Sequence, residues 1–323
     1  MILEAILQEE KEQIKNFLKG FDLDYDSNVD LTLYLKEDGE ILGTVSKDKY
    51  IIKCLAVKKE VQGTNVASSL VSQIISRIIF EGYNYYQVFT KTIYKSVFIN
   101  LGFSEIVQTD EVVVLESKGN SINDYLKDLK KKLDFSLSDV ASVVINANPV
   151  TLGHQHLVSK ASREHDFVIV FVLEEDRSLF SFKERFSMAY LAFKDIPNVM
   201  VVPSSKYIIS SLTFPTYFLK SETSALKEYA LVDALIFKNY FMKELNIKYR
   251  YVGSEDSPFM QTYNKTLKEV LGESLIEVMR VDGISASSVR KLLLDKKVDE
   301  ASLLIPEGCR VIFRQIALDK VSN

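Results

Sequence analysis

The chain has 323 residues, long enough for two domains that each bury a core without disulfides or metals. Its 44 acidic residues slightly outnumber its 40 basic ones for a net charge of -4, which excludes a global positive field for nucleic acid or an anionic membrane; any nucleotide must be held locally. The acidic, amphipathic start from Met1 to Lys11 lacks the basic region and cleavage site of a signal peptide, and no uncharged apolar run reaches the roughly 20 residues that span a bilayer. Cys54 and Cys309 both lie in apolar surroundings, which suits a reducing compartment, so a soluble, cytoplasmic protein without membrane or nucleic-acid partners is expected.

In chain order, residues 1–118 alternate short β-rich runs with helical periodicity. Strands are expected at Leu31–Leu35, Ile41–Val45, Tyr50–Val57 and Tyr86–Thr90, with a helix from about Thr64 to Glu81. This is a mixed α/β pattern with early hairpins. In Ser121–Leu133, Ser121 and Asp124 resemble a capping box, and Ile122, Tyr125, Leu126, Leu129 and Leu133 share one face. A linker helix within residues 119–136 is therefore expected, its Lys130-Lys-Lys132 run being a solvated face.

From residue 137 to 323 the pattern becomes strand, loop, helix, strand. Ser142–Asn146 and Phe167–Val172 are continuous apolar runs, as in strands covered on both faces of a parallel sheet, and they flank a helix from about Gly153 to Arg163. Val199–Pro203, Ala234–Phe237 and Arg250–Gly253 supply further strands, with helices at about 182–194, 213–219 and 258–271. The expected architecture is a doubly wound, Rossmann-like parallel-sheet domain.

The chemistry concentrates at Asn146-Ala-Asn-Pro-Val-Thr-Leu-Gly-His154, where a strand ends before a helix. Such folds bind ligands at the carboxyl edge of the sheet, and a helix N-terminus offers unpaired N–H groups to a phosphate. Gly153 lets the backbone approach an anion, while Thr151 and His154 can donate to oxygens of an α-phosphate. Asn146 and Asn148 stand in the same loop. The Thr-x-Gly-His pattern resembles the nucleotidyltransferase superfamily, whose adenylyl-transferring members carry a His-or-Thr, any residue, Gly, His motif after the first strand. Their second signature, Ile-Ser-Ser-Thr-x-x-Arg, is matched by Ile284-Ser-Ala-Ser-Ser-Val-Arg290. Ile284, Ser285 and Ser287 are thereby expected at the nucleotide, and Arg290 is a fixed cation suited to a β- or γ-phosphate. Asn148 departs from the Asp common in pantetheine-phosphate adenylyltransferases; a neutral side chain there suits a different acceptor.

Between the motifs, Leu179–Arg185, Ser205–Ser210, Thr213–Lys220 and Tyr251–Asp256 resemble the citrate lyase ligases, as does Asn-Ala-Asn-Pro in the first motif. Arg185 is weighed between a phosphate role and helix-surface charge, and Lys183 beside it is read as surface. Glu255 and Asp256 follow a strand end and are weighed between contact with ribose or adenine and capping of the helix after Pro258, and Gly253 before them is expected in the nucleotide site. His156 and His165 lack motif context and are read as structural or surface, and Cys54 as core rather than nucleophile.

In the first half, Leu55-Ala-Val-Lys-Lys-Glu-Val-Gln-Gly-Thr-Asn-Val-Ala-Ser-Ser-Leu70 resembles the acyl-coenzyme A loop of GNAT-type acetyltransferases. Gln62 and Ala67 fit, while Asn65 stands where Gly is usual and puts a side chain against the pyrophosphate position. Phe98–Phe103 resembles the close of that fold. Citrate lyase ligases are similar in carrying a small acetyltransferase-like domain ahead of the nucleotidyltransferase domain. The resemblance implies that ATP and acetate give acetyl-adenylate. The acetyl group then passes to the thiol of the phosphoribosyl-dephospho-coenzyme A group on the lyase acyl carrier subunit, releasing AMP and pyrophosphate. A divalent ion, Mg2+ in the usual case, would bridge the ATP phosphates and need few protein ligands; no protein metal site is expected. The competing readings are a nucleotidyltransferase of the pantetheine-phosphate adenylyltransferase type, a coenzyme A-dependent GNAT-type acetyltransferase, and an interaction module with vestigial sites. The carrier is left open between citrate lyase and a related system such as malonate decarboxylase.

Overall fold

The computed structural model describes residues 1–133, 139–174, 178–210, 214–219, 221–281 and 283–322. They fall into two compact units, Met1–Tyr125 with Pro215–Glu228, and Leu126–Phe214 with Tyr229–Asn323. The end of the expected linker at residues 134–136, and Thr213 and Lys220 of the ligase-like segments, lie outside the described residues. Among the described residues no helix is long and apolar enough to cross a membrane.

The first unit contains β1 (Ile2–Glu4), α1 (Gln8–Lys19), β2 (Leu31–Glu37), β3 (Glu40–Asp48), β4 (Ile51–Val57), α2 (Val66–Phe80), β5 (Gln87–Lys91), α3 (Lys95–Asn100), β6 (Ser104–Gln108) and β7 (Val112–Glu116). Its sheet runs β1-β2-β3-β4-β5-β7-β6. The Asp38-Gly39 pair between β2 and β3 has φ of 48° and 84°, the two positive values that a two-residue hairpin of matching twist requires. Leu70, Val71, Ile74 and Ile78 put one face of α2 into a core with Leu33, Val45, Ile52, Val88 and Val113. Every neighbouring pair of strands is antiparallel except β4 and β5, which are parallel and register only at Ile51 with Gln87 and Ile52 with Val88. The mixed α/β domain with early hairpins expected of the first half takes this form. β6 and β7 were not anticipated.

Helix α4 (Ile122–Lys130) occupies the place expected of the linker helix. The second unit continues with β8 (Val140–Ile145), α5 (Leu152–Glu164), β9 (Phe167–Val172), α6 (Phe182–Phe193), β10 (Val199–Pro203), α7 (Glu222–Ile236), β11 (Ile247–Gly253), α8 (Pro258–Leu271), β12 (Leu275–Val278), α9 (Ala286–Leu294), α10 (Val298–Ser302) and α11 (Glu307–Ser322). The first residues of α7 belong to the first unit. The sheet order is β10-β9-β8-β11-β12 and every pair is parallel. From β8 the chain moves outward to β9 and β10, then returns to lay β11 on the other side of β8. That reversal is the doubly wound pattern, and it leaves a ligand crevice beyond the carboxyl ends of β8 and β11.

Two expected elements are corrected. Ala234–Phe237 is not a strand but the end of α7 and the start of a π-helical turn over Phe237–Met242. The helix is buried at Tyr229, Ala230, Val232, Ala234, Ile236, Phe237 and Phe241, so the polar face that marks helical periodicity is missing and a short apolar window mimics a covered strand. Phe214–Leu219 forms turns and loop rather than the expected helix. The strand that completes the sheet, β12, is four residues long and carries Glu277, too short and polar to register as one.

Candidate active site

The loop after β8 is built by two arginines that reach it from other elements. Arg185, on α6, is fully buried. Its Nε donates to the Phe180 carbonyl at 3.0 Å, and its Nη1 to the Asn146 carbonyl at 2.7 Å, Asn146 Oδ1 at 2.9 Å and the Leu173 carbonyl at 2.8 Å. The guanidinium therefore saturates backbone acceptors at the carboxyl ends of β8 and β9. Its place is behind the loop, not on its surface as a helix charge, and those donors are not offered to a phosphate. Asn148 is also turned inward, its Oδ1 accepting from Phe180 N at 3.1 Å.

The second arginine joins the two motifs. Arg290, on α9, donates from Nη1 to the Asn148 carbonyl at 2.6 Å and from Nη2 to Ser287 Oγ at 3.0 Å. Burial pulls its pKa below the usual value, and a guanidinium still carries its charge at any working pH. These bonds use two of its five N–H donors. Ser285 caps α9, its Oγ accepting from Ser288 N at 2.9 Å. Gly153 packs tightly against the second motif: a Cβ there would meet the Ile284 carbonyl at 3.3 Å and Thr151 Oγ1 at 3.4 Å. Two segments more than a hundred residues apart in sequence thus form one surface at the start of α5.

Thr151 is the N-cap of α5, and its backbone N–H donates to His154 Nδ1 at 3.0 Å, with Thr151 Oγ1 2.9 Å from the same nitrogen. An Nδ1 that accepts a backbone N–H carries no proton, so the neutral ring holds its proton on Nε2. Burial and the nearby positive charge of Arg280 push the imidazole pKa down to about 4. At neutral pH His154 is an uncharged donor in a fixed tautomer, standing one turn into a helix whose N-terminal N–H groups favour an anion. Since the folded value lies below the ordinary value of about 6.5, the unfolded chain takes up this proton first as pH falls. The stability this residue contributes is complete above about 6.5 and declines toward about 4. In an NMR titration of the folded protein, the His154 ring is expected to remain neutral and Nε2-protonated at pH 6; a midpoint near 6.5 would contradict this environment.

On the β11 side, Gly253 ends its strand with its carbonyl accepting from Asn264 Nδ2 at 3.0 Å. Glu255 Oε2 lies 2.5 Å from Arg280 Nη2, and Arg280 N donates to Ser254 Oγ at 3.0 Å. Burial raises the Glu255 pKa against the lowering effect of Arg280. Arg280 is the residue that sequence reasoning missed. It follows β12 directly, so the signal was a lone cation at the carboxyl end of a strand, invisible while that strand went unrecognised. Gln62 belongs to the first unit, where its Nε2 donates to the Val57 carbonyl at 3.1 Å. His165 lies away from the motifs, bonded to Asp139 Oδ2 at 2.9 Å and Tyr251 OH at 2.8 Å. Among the described residues no group of three or more His, Cys, Asp or Glu side chains could hold a metal ion, and both cysteines are buried.

A parallel, doubly wound domain that sets a helix N-terminus and a neutral imidazole at its switch point is of the nucleotidyltransferase type. Stretches of phosphopantetheine adenylyltransferases match it, that of Methylococcus capsulatus with 42% identity over 64 residues, 19% of this chain and 40% of that protein. A family model described as the citrate lyase ligase C-terminal domain matches residues 140–311. The protein called [citrate [pro-3S]-lyase] ligase in Escherichia coli is 30% identical over 91% of this chain and 87% of its own length, and that of Haemophilus influenzae is 30% identical over 95% and 96%. The chain belongs to the citrate lyase ligase family and is an enzyme of the ligase class. Among solved structures, Escherichia coli ElaA covers 36% of this chain and 99% of its own at 10% identity, with a TM-score of 0.33.

Proposed function

We propose that the chain is an ATP-dependent ligase that activates acetate as acetyl-adenylate and acetylates the thiol of the phosphoribosyl-dephospho-coenzyme A group on the citrate lyase acyl carrier subunit. The reading of the partner rests on what the relatives are called. The reading of the chemistry rests above all on His154, a neutral donor held in one tautomer by the Thr151 N–H at the mouth of α5.

In the first step a carboxylate oxygen of acetate attacks the α-phosphorus of ATP, and the bond to pyrophosphate breaks. Acetate, like a side-chain carboxyl of pKa about 4, is ionised at neutral pH, so no general base is needed. The protein supplies position and charge stabilisation. His154 Nε2–H and the N-terminal N–H groups of α5 meet the transferring phosphoryl oxygens, and Thr151 fixes the imidazole. Arg280 takes charge on the departing pyrophosphate; Arg290 holds the loop at Asn148 and keeps its remaining donors for the same phosphates. A divalent ion such as Mg2+, held by the nucleotide rather than by protein ligands, would supply charge neutralisation. In the second step the acceptor thiolate attacks the acetyl carbonyl carbon, and the bond to AMP breaks.

Pyrophosphate release from ATP tests the reading: it is expected to depend on acetate and, with the acceptor thiol present, to be matched by AMP, and release that ignores acetate would remove it. Arg280→Ala is expected to raise the KM for ATP by about 10- to 100-fold, the loss of one charge-assisted contact of about 1.5–3 kcal/mol. An unchanged KM and kcat would place the cation outside the phosphate path. A second reading, adenylyl transfer to a phosphorylated pantetheine, draws on the short adenylyltransferase likeness and predicts a dinucleotide-like product instead of AMP.

A further inference from the structure

The loop that follows β8 holds two asparagines, and the structure spends them differently. Asn146 is committed at both ends of its amide: Oδ1 accepts from Arg185 Nη1 at 2.9 Å, and Nδ2 donates to Ser178 Oγ at 3.4 Å. Asn148 is committed at one end. Its Oδ1 accepts from Phe180 N at 3.1 Å, and since a backbone N–H can bond only to the amide oxygen, this contact fixes which end is the NH2 group. Among the described residues that NH2 group has no hydrogen-bond partner, although Asn148 is only 9% exposed. Its nitrogen is not one of the sealed, unpartnered polar atoms of the described residues, so it opens on solvent.

The surroundings hold that donor in place. The Asn148 carbonyl accepts from Arg290 Nη1 at 2.6 Å, and the carbonyl of the fully buried Phe180 accepts from Arg185 Nε at 3.0 Å. Asn148 is thus tied through its backbone to α9 and through its side chain to the lead into α6. The amide cannot turn over without leaving the Phe180 N–H unpaired inside the protein. At most about 11 Å of chain separates Asn148 from Thr151, the N-cap of α5, so the free donor stands beside the surface where the phosphoryl group is transferred.

A carboxylate that attacks phosphorus uses one oxygen as the nucleophile and leaves the other to be held. The holder must carry no negative charge, because a second carboxylate at contact distance repels the incoming anion. It also serves better neutral than cationic: an ion pair would stabilise the free carboxylate and blunt its attack. A primary amide meets both conditions, since it donates N–H groups without bringing a charge.

We infer that Asn148 is the specificity-determining residue for the nucleophile: its NH2 group receives the non-attacking oxygen of a small carboxylate and turns the other oxygen toward phosphorus. This rests on the reading that a carboxylate is the nucleophile, and it names the side chain that selects for that charge.

Acetate-dependent exchange of labelled pyrophosphate into ATP isolates this step from the acceptor thiol. Asn148→Asp keeps an oxygen for the Phe180 N–H but puts a negative charge in place of the NH2 donor; Asn148→Ala removes both. The KM for acetate is expected to rise by about tenfold in Asn148→Ala and by at least about 100-fold in Asn148→Asp, with the KM for ATP within about threefold of the parent in each. A purely structural role for the Phe180 contact predicts the reverse order, with Asn148→Asp close to the parent and Asn148→Ala the worse. That order would overturn the inference, as would a KM for ATP that rises in step with that for acetate. Should Asn148→Ala fail to fold, the two KM values of Asn148→Asp decide alone. Exchange in the unaltered chain with an unchanged acetate KM in Asn148→Asp sinks only this inference; no exchange in the unaltered chain sinks the ligase reading and the inference with it.

Discussion

His154→Ala is expected to lower kcat for acetate-dependent pyrophosphate release by about 10²- to 10³-fold, with a smaller change in the KM for ATP. The ring's Nδ1 is occupied by the Thr151 N–H, so the side chain has one donor left, on Nε2, and its orientation is set before substrate arrives. A donor fixed in advance costs no reorganisation as charge develops on the phosphoryl oxygens, and that is the condition under which a single hydrogen bond is worth about 3 kcal/mol in the transition state. The imidazole need not be charged: its pKa of about 4 keeps it neutral wherever acetate is ionised. A rise in KM with kcat untouched would mean that His154 binds ground and transition states equally, and its role would be substrate binding alone.

Asp233→Ala is expected to destabilise the second unit by about 3–5 kcal/mol, the cost of leaving a buried cation without its partner. Asp233 on α7 and Arg250 on β11 are both nearly inaccessible, with Oδ2 to Nη1 at 2.9 Å. Tyr263 on α8 closes the group, donating to Asp233 Oδ2 at 2.7 Å and accepting from Arg250 Nη2 at 3.1 Å, while the Phe237 ring lies 4.5 Å under the guanidinium. One network therefore pins two helices to the strand that carries Gly253 and Glu255. Thermal unfolding should move down by about 10 °C. Replacing both charges, Asp233→Leu with Arg250→Met, should recover much of the loss because no unpaired ion remains. If the single variant melts like the parent, the network does not hold the sheet.

What could be read from the chain in advance follows from how local each signal is. The Thr-x-Gly-His and Ile-Ser-x-Ser patterns are short segments whose residues act where they stand, and the structure brings them together through Gly153 and Ile284. The apolar runs of β8 and β9 were legible because both strands are covered on both faces. Arg185 was less so: its partners are backbone carbonyls of three separate segments, and no side-chain pattern announces a backbone acceptor. Ala234–Phe237 misled because a helix buried nearly all round loses the polar side that distinguishes it from a strand. Arg280 was hidden with β12, since a residue's place at a sheet edge cannot be read before its strand is found. The short β4–β5 pairing in the first unit was not legible because where two strands stop pairing is a property of register rather than composition.

The central claim is that a carboxylate oxygen attacks the α-phosphorus, so the fate of that oxygen is the most direct measurement. With acetate labelled by 18O in its carboxylate, one labelled oxygen is expected to pass into AMP at each turnover while the product pyrophosphate stays unlabelled. AMP without label, or label in pyrophosphate or inorganic phosphate, would contradict the account.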